Sequence, residues 1–241
     1  MARTRRGRFQ TTRWSLVLAA GGDHSSAAHL ALATLCEIYW YPLYAYVRRH
    51  GHDAEESQDL TQAFFAKLLE RQDIGGLRRE RGRLRSFFLA ALRHFLLNDG
   101  AHRQRLKRGG TEPILSLEFE TAENRYAHEP IDPATPETIY ERRWALTVLD
   151  QVFHDLRHDW ELAGRVEDFD RLKEFLAGDI PRGGYENLAA DLGSSVNATT
   201  VAVHRLRRAF RRRLRDVVAD TVTSEDAIED ELRHLFAVLR K

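Results

Sequence analysis

The chain has 241 residues, which is enough to bury a core in each of two small domains, and its formal net charge is +1. Its single cysteine, Cys36, excludes an intrachain disulfide and a zinc cluster built from thiolates. No apolar run is long enough for a membrane span or for the core of a signal peptide, so we expect a soluble protein of the cytoplasm.

The small net charge hides three basic and two acidic stretches. The basic stretches are 1–13 with five Arg and no acid, 76–108 with ten Lys or Arg against two acids, and 197–215 with seven Arg and no acid. The acidic stretches are 112–141, with eight Asp or Glu against one Arg, and 216–231, with seven and no base. A polyanion would be attracted by the basic stretches alone, so the charge pattern favours a nucleic-acid partner.

Apolar residues recur three and four positions apart along most of the chain, whereas the alternation typical of strands is hard to find beyond about 113–119. This periodicity predicts an all-α fold. The first helical segment covers 30–47, and Pro42 within it either bends the helix or starts a new one. A second helix begins at the N-cap Asp53 and runs to about residue 70.

A third helix is predicted over 84–106, with arginines flanking its apolar residues. Two glycines and four prolines in 108–138 indicate an extended linker, and an amphipathic helix is expected near the C-terminus. The apolar stripe of that last helix is Ile228, Leu232, Leu235 and Leu239. The predicted parts are a basic N-terminal extension (1–24), a helical domain (25–108), an acidic linker (109–140), a second helical domain (141–217) and an acidic C-terminal extension (218–241).

Residues 185–215 are typical of a helix-turn-helix. A short helix over 185–192 ends at Gly193, where a left-handed turn is needed, and Ala189 is small enough for the two helices to cross closely. Asn197 is a suitable cap for the second helix. The inward stripe of the second helix is Val203, Leu206, Phe210, Leu214 and Val217.

The opposite face of the second helix is almost entirely cationic. Its residues are Thr200, His204, Arg205, Arg207, Arg208, Arg211 and Arg212. In a helix-turn-helix the first turns of the second helix reach base edges and later basic residues hold phosphates, so Thr200, His204 and Arg205 are the predicted base readers. A solvated amphipathic helix is the alternative, but solubility is usually served by charges of both signs.

The helix over 53–70 carries more large apolar residues than one buried face requires. Three of them suffice to pack it against its neighbours: Leu60, Phe64 and Leu68. We therefore expect Phe65 or Leu69 to be partly exposed beside Asp59 and Gln62, which would make an apolar docking patch with a polar rim. The alternative, that both aromatic residues belong to the core, stays open at this point.

The helix over 59–69 has the sequence D-L-T-Q-A-F-F-A-K-L-L and resembles region 2.2 of the extracytoplasmic-function sigma factors, whose usual form is close to D-L-T-Q-x-F-F-x-x-L. In that family this helix binds the coiled coil of the largest subunit of RNA polymerase. The positions that the resemblance implies for polymerase binding are Asp59, Leu60, Gln62, Phe65 and Leu69.

Residues 87–99, with the sequence F-F-L-A-A-L-R-H-F-L-L-N-D, resemble regions 2.3 and 2.4 of the same family, which open and read the minus 10 promoter element. The contacts implied there are Arg85, Phe88, Arg93, His94, Asn98, Arg103 and Arg105. The family commonly has Arg-Asn and later Asp where this chain has Arg93-His94 and Asn98, which leaves the choice of base at minus 10 open.

The helix-turn-helix resembles region 4.2, the reader of the minus 35 element. Val203-His204-Arg205 stands where the family has a hydrophobic residue followed by His-Arg, although Ala198-Thr199 replaces the usual Thr-Val. The contacts implied there are Asn197, Thr200, His204, Arg205, Arg207 and Arg208. Residues 9–15 are similar to the start of a longer subgroup of the family.

The resemblance implies a sigma factor that binds core RNA polymerase and promoter DNA, and neither enzymatic activity nor a cofactor or metal is expected. A helix-turn-helix regulator that acts without polymerase is the first alternative, and it would explain 185–215 but not the capped helix over 53–70 and the region 82–106. A metal-dependent hydrolase is the second alternative, because His154 and His158 share a helix face. The glutamate of the H-E-x-x-H pattern is missing, however.

Two roles are open for the acidic C-terminal extension. It either covers the seven-Arg helix and restrains the free protein until polymerase separates the two, or its apolar stripe packs on the second domain and stabilises it. An anti-sigma protein is a further candidate inhibitor.

Overall fold

The computed structural model describes residues 26–70, 83–102, 123, 126, 134–176 and 183–240. Their regular secondary structure is helical, and the one strand-like pairing among them is an isolated antiparallel bridge between Arg83 and Val222. The prediction of an all-α fold is confirmed for these residues. The N-terminal extension and most of the predicted linker lie outside the described part of the chain.

In chain order the helices are α1 (Ser26–Arg49), α2 (Ala54–Glu70), α3 (Leu84–His102), α4 (Pro136–Leu162), α5 (Val166–Leu172), α6 (Gly184–Asp191), α7 (Val196–Ala219) and α8 (Glu225–Leu239), with a 3-10 turn at Lys173–Phe175. Helix α1 runs through Pro42, so Pro42 does not start a new helix. Helix α2 begins as predicted, because a side-chain oxygen of Asp53 accepts a hydrogen bond from the backbone N–H of Glu56 at 2.8 Å.

Helix α4 begins inside the segment that we predicted to be a linker. Pro136 takes the first helical position, where a missing N–H costs nothing, and the Thr135 hydroxyl accepts a hydrogen bond from the Thr138 N–H at 3.3 Å. The prolines that favour an extended chain therefore include one that starts a helix, and the helical structure begins five residues before the predicted boundary at 141.

Contacts within the chain divide it into two compact units. The first unit consists of 1–147 together with 218–241, and the second unit is 148–217. The C-terminal extension therefore groups with the first unit, as do residues 141–147 at the start of the predicted second domain. His234 of α8 lies beside Glu141 and Trp144 in that stretch.

The core of the first unit is rich in aromatic residues. The Phe88 ring of α3 lies 4.6 Å from the ring of Tyr39 in α1 and 6.0 Å from the ring of Phe65 in α2, measured between centroids. Phe64 extends the cluster to Phe95 at 5.8 Å. Successive residues of α1 from 43 to 47 are all buried, which is typical of a helix covered on every side.

Helix α8 is built into the first unit through one face. Ile228 and Leu235 of the predicted stripe are buried, and Val238 is buried where Leu239 was expected. Leu232 is half-buried. The stripe is thus shifted slightly around the helix from its predicted position.

The segment before α8 pairs with the start of α3. The Leu84 N–H donates a hydrogen bond to the Thr221 carbonyl at 3.0 Å, next to the bridge between Arg83 and Val222. Thr221 and Val222 are fully buried. These backbone contacts join the C-terminal extension to the start of α3.

The second unit is a small helical core of its own. Trp160 of α4 packs on Phe169 of α5 with 6.1 Å between ring centroids, and Phe153 of α4 packs on Phe210 of α7 at 5.2 Å. The apolar residues buried between its helices are Val148, Val152, Leu156, Phe169, Leu172, Leu188, Val203, Leu206 and Leu214.

Candidate nucleic-acid interface

The turn between α6 and α7 has the geometry of a Schellman motif. Gly193 has a φ of +58°, its N–H donates to the Ala190 carbonyl at 3.1 Å, and the Ser194 N–H donates to the Ala189 carbonyl at 2.9 Å. A residue without Cβ is favoured at such a positive φ. The prediction that Gly193 ends the first helix in a left-handed turn is confirmed.

Helix α7 is capped by Ser195 and not by Asn197. The Ala198 N–H donates to the Ser195 hydroxyl at 3.2 Å, and the Thr199 N–H donates to the Ser195 carbonyl at 2.9 Å. Asn197 consequently lies in the first turn of α7, where it is exposed. The predicted capping role of Asn197 is wrong, and its side chain is available for other contacts.

The two helices of the motif meet through small and apolar residues. Leu188 and Ala189 of α6 are buried, and so are Val203 and Leu206 of α7. The hydroxyls of Ser194 and Thr199 are hydrogen-bonded to each other at 2.7 Å across the turn. The predicted inward stripe is confirmed, with the last members Leu214 and Val217 buried and Phe210 half-buried.

Two arginines of α7 hold the helix in the second unit. The Arg207 guanidinium donates two hydrogen bonds, at 3.0 and 2.8 Å, to the carbonyl of Phe175 at the end of the 3-10 turn. Arg213 forms ion pairs with Asp159 at 2.6 Å and with Asp155 at 3.7 Å. Arg207, which we predicted to contact DNA, is therefore engaged in the fold. Its place beside the buried stripe explains why.

The other outward arginines have no such partners. Arg205, Arg208, Arg211 and Arg212 are exposed and form no ion pair or hydrogen bond with any residue that the structure describes. At 3.6 residues per turn they lie on the side of α7 opposite its buried stripe. We call this surface the α7 basic face. It consists of Asn197, Val201, His204, Arg205, Arg208, Arg211 and Arg212.

Thr200 lies at the margin of the α7 basic face. Its hydroxyl donates a hydrogen bond to the Val196 carbonyl one turn earlier at 2.9 Å, and the residue is half-buried. His204 and Arg205 are exposed. Val201, which the sequence reasoning had not singled out, is 42% exposed among them.

The predicted docking patch on α2 has a different composition from the expected one. Phe65 is 1% exposed and packs on the rings of Phe64 and Phe88, and Leu60 is also buried. Of the two residues expected to be exposed, Phe65 is in the core, because α1 and α3 together cover a wide sector of α2. Asp59 is exposed and Gln62 is half-buried, whereas the side chain of Leu69 lies outside the described residues.

Two of the predicted minus 10 contacts are core residues. Phe88 is fully buried, and Arg85 is 5% exposed. The Arg85 guanidinium lies 2.7 Å from Glu231 and 2.7 Å from Glu141, and it stacks over the Trp144 ring at 5.4 Å. A buried guanidinium requires such partners, so Arg85 serves the fold and does not face a ligand.

The remaining predicted contacts on α3 that the structure describes are at the surface. Arg93, His94 and Asn98 are exposed, and Leu97 next to them is 77% exposed. Arg103 and Arg105 lie outside the described residues. Residues four apart on a helix are neighbours on its surface, so Arg93 adjoins Leu97 and His94 adjoins Asn98.

The partners of the first unit's arginines are residues that the sequence reasoning missed. Arg48 pairs with Glu123 at 2.9 Å, Arg85 with Glu141, and Arg93 with Glu137. All three acids come from the acidic stretch 112–141. The signal that could have identified them is the order of charges, with this acidic stretch directly following the basic stretch 76–108.

The helix face that suggested a metal site, with His154 and His158, has acids that are engaged in ion pairs. Asp155 and Asp159, which adjoin His154 and His158, bind Arg213. Within the described ranges, no group of three or more His, Cys, Asp or Glu is arranged to hold a metal ion.

Among the helices that the structure describes, none combines the length and the apolar character that a membrane span requires.

Comparison of the chain with models of protein families, with curated proteins and with solved structures finds no match.

Proposed function

We propose that this protein is a sigma factor of the extracytoplasmic-function type, which binds core RNA polymerase and directs transcription initiation at promoter DNA. The observation that carries the proposal is the α7 basic face, where four arginines without a described partner follow the Schellman turn of a helix-turn-helix. A cationic second helix in this motif is suited to the major groove, with its first turns at base edges and its later turns at phosphates.

The division of labour among the arginines of α7 supports a binding role over a purely solubilising one. Arg207 and Arg213, which flank the buried stripe, are used by the fold, and an acid is supplied for Arg213. The outward arginines receive no acid from any described residue. Four adjacent cations without counter-charges repel one another, and a polyanion would relieve that repulsion.

Docking to polymerase rests on the resemblance of 59–69 to region 2.2. The buried members Leu60, Phe64 and Phe65 form the packing side of α2 in the structure, and Asp59 and Gln62 remain on its accessible side. The polymerase contact proposed here is therefore polar, through Asp59 and Gln62. This differs from the apolar patch that the sequence alone suggests.

The test is a titration of labelled protein with core RNA polymerase. We expect the parent to bind, and Asp59→Ala with Gln62→Ala to bind more weakly with little change in melting temperature, because Asp59 is exposed and Gln62 is only half-buried. Asp226→Ala, an exposed acid of α8, is the matched control and should bind like the parent. Binding of the double variant at parental strength would remove α2 from the proposal.

A helix-turn-helix regulator that works without polymerase is the second candidate, and the α7 basic face favours it as strongly as it favours the first. The two candidates differ in what promoter binding requires. A fragment selected from random DNA should be bound specifically only in the presence of core polymerase if the chain is a sigma factor. Specific binding by the chain alone, without any affinity for core polymerase, would support the regulator instead.

A further inference from the structure

One carboxylate of the first unit sits in a small anion site on the surface of α3. Arg93 donates a hydrogen bond from Nε to the Tyr46 hydroxyl at 3.0 Å, and that hydroxyl donates to a carboxylate oxygen of Glu137 at 3.3 Å. A terminal nitrogen of Arg93 binds the same oxygen of Glu137. Two donors thus converge on one anionic oxygen.

The occupant of this site is charged and is accessible to solvent. Partial burial raises the pKa of the Glu137 carboxyl, but the hydrogen bonds from Arg93 and Tyr46 outweigh it and bring the pKa below its usual value. The side chains of Arg93 and Glu137 are both more than a third exposed, so water and ligands can reach the pair. An ion pair of this kind contributes little to stability.

The surface around the site suits single-stranded nucleic acid. Leu97, one turn beyond Arg93, is the most exposed large apolar side chain among the described residues, and His94 and Asn98 are exposed beside it. An apolar side chain next to a cation and hydrogen-bonding groups can contact an unstacked base and its phosphate together. In duplex DNA the base faces are stacked on one another, so Leu97 could reach only base edges in the grooves.

We propose that Arg93 and Tyr46 form a phosphate-binding site for single-stranded DNA, and that Glu137 occupies this site until the DNA backbone displaces it. The inference rests on the proposed function to the extent that α3 contacts promoter DNA there. Glu137 is the second residue of α4, and its partly exposed side chain can leave Arg93 by a change of rotamer.

A second pair in the same unit follows the same pattern. Arg48 at the end of α1 binds both carboxylate oxygens of Glu123, at 2.9 and 3.1 Å, and Tyr44 donates a hydrogen bond to the same carboxylate. In both pairs an acid of the stretch 112–141 is bound by an arginine and a tyrosine of the first unit. The acidic stretch therefore acts as a set of counter-ions for basic residues that nucleic acid would otherwise attract.

The test measures binding of the full-length protein to a fluorescein-labelled single-stranded DNA of random sequence, at one fixed salt concentration. Glu137→Gln should tighten binding about two- to fivefold, the range expected for loss of an exposed competing ion pair. Glu55→Gln is the matched control, since Glu55 is also the second residue of a helix, is exposed, and is lost with the same change of charge. It should leave the affinity near that of the parent.

Arg93→Ala completes the design as a double-mutant cycle. This variant should weaken binding, and Glu137→Gln added to it should give no further gain, because the competitor then has nothing to compete for. Equal affinities of Glu137→Gln and Glu55→Gln, with Arg93→Ala still weaker than the parent, would overturn the occupancy of the site alone. Unchanged binding by Arg93→Ala would also remove α3 from the proposed promoter contact. Melting curves of all four variants check that each is folded.

Discussion

Glu231 of α8 is fully buried, and one of its carboxylate oxygens lies 2.7 Å from Nε of Arg85, a residue 146 positions earlier in the chain. Its second oxygen lies 3.3 Å from Nε of Arg83. The two groups form an ion pair at this distance, but they are not hydrogen-bonded. A carboxylate without water around it depends on these arginines for its stability. The pair therefore couples the last helix of the chain to the start of α3.

Substitution of Glu231 by Gln should lower the free energy of unfolding by about 3 kcal/mol, since removal of one partner from a buried ion pair costs roughly 3–5 kcal/mol and Arg85 would keep Glu141. Urea unfolding followed by circular dichroism measures the change. Asp226→Asn, which neutralises an exposed acid of the same helix, is the control and should change the stability little. Equal effects of the two substitutions would contradict a structural role for Glu231.

Removal of residues 219–241 should lower the melting temperature without raising the affinity for promoter DNA. The segment supplies the buried residues Val222, Glu231 and Leu235 and accepts the Leu84 hydrogen bond, so its loss exposes the start of α3. A variant that lacks only residues 240–241 is the control for shortening of the C-terminus. A gain in DNA affinity at an unchanged melting temperature would instead support covering of the seven-Arg helix by the tail.

Local chemistry allowed some of these features to be predicted. Asp53 and Gly193 act within four residues of their own positions, so their cap and turn follow from the sequence alone. The cap of α7 was misassigned because Ser195 and Asn197 are both good caps only two residues apart. The difference is decided by where α6 ends.

Features that depend on packing between residues distant in sequence could not be predicted. A helical stripe shows which side of α2 is apolar, but it does not show that α1 and α3 cover Phe65 as well as Phe64. In the same way, the resemblance to the family implies a DNA contact for Arg85, and Glu231 is too distant in sequence to be recognised as its partner. The alternation of basic and acidic stretches indicates that such ion pairs form, but it does not show which residues pair.

Gly193→Ala should destabilise the second unit by about 1–2 kcal/mol, the cost of a left-handed conformation for a residue with Cβ. A Cβ at this position would meet no atom within 4 Å, so the cost comes from the backbone alone. Gly193→Asn should lie between Ala and the parent, because Asn tolerates this conformation better. Thermal unfolding of the three proteins measures the order, and an Ala variant as stable as the parent would contradict it.

Arg205 and Arg211 should have separable roles at the proposed minus 35 element. Arg205 is exposed in the third turn of α7, in the N-terminal half that would enter the major groove. Arg205→Ala should therefore weaken the binding free energy by about 1–3 kcal/mol and relax the preference for one base pair. Arg211 lies further along the α7 basic face, and Arg211→Ala should weaken binding by a similar factor on every sequence. Fluorescence titrations with core polymerase measure both.

The control for that comparison is Arg165→Ala. Arg165 is an exposed arginine of the same unit, but it is paired with Asp168 and lies outside the α7 basic face, so its loss removes the same charge without removing a proposed contact. The fragments should carry each base pair of the selected element changed in turn, at fixed salt, because the phosphate contribution falls steeply with ionic strength. A uniform loss across all fragments for Arg205→Ala would make Arg205 a phosphate contact. A loss for Arg165→Ala as large as that for Arg211→Ala would show that net charge, and not the α7 basic face, determines the affinity.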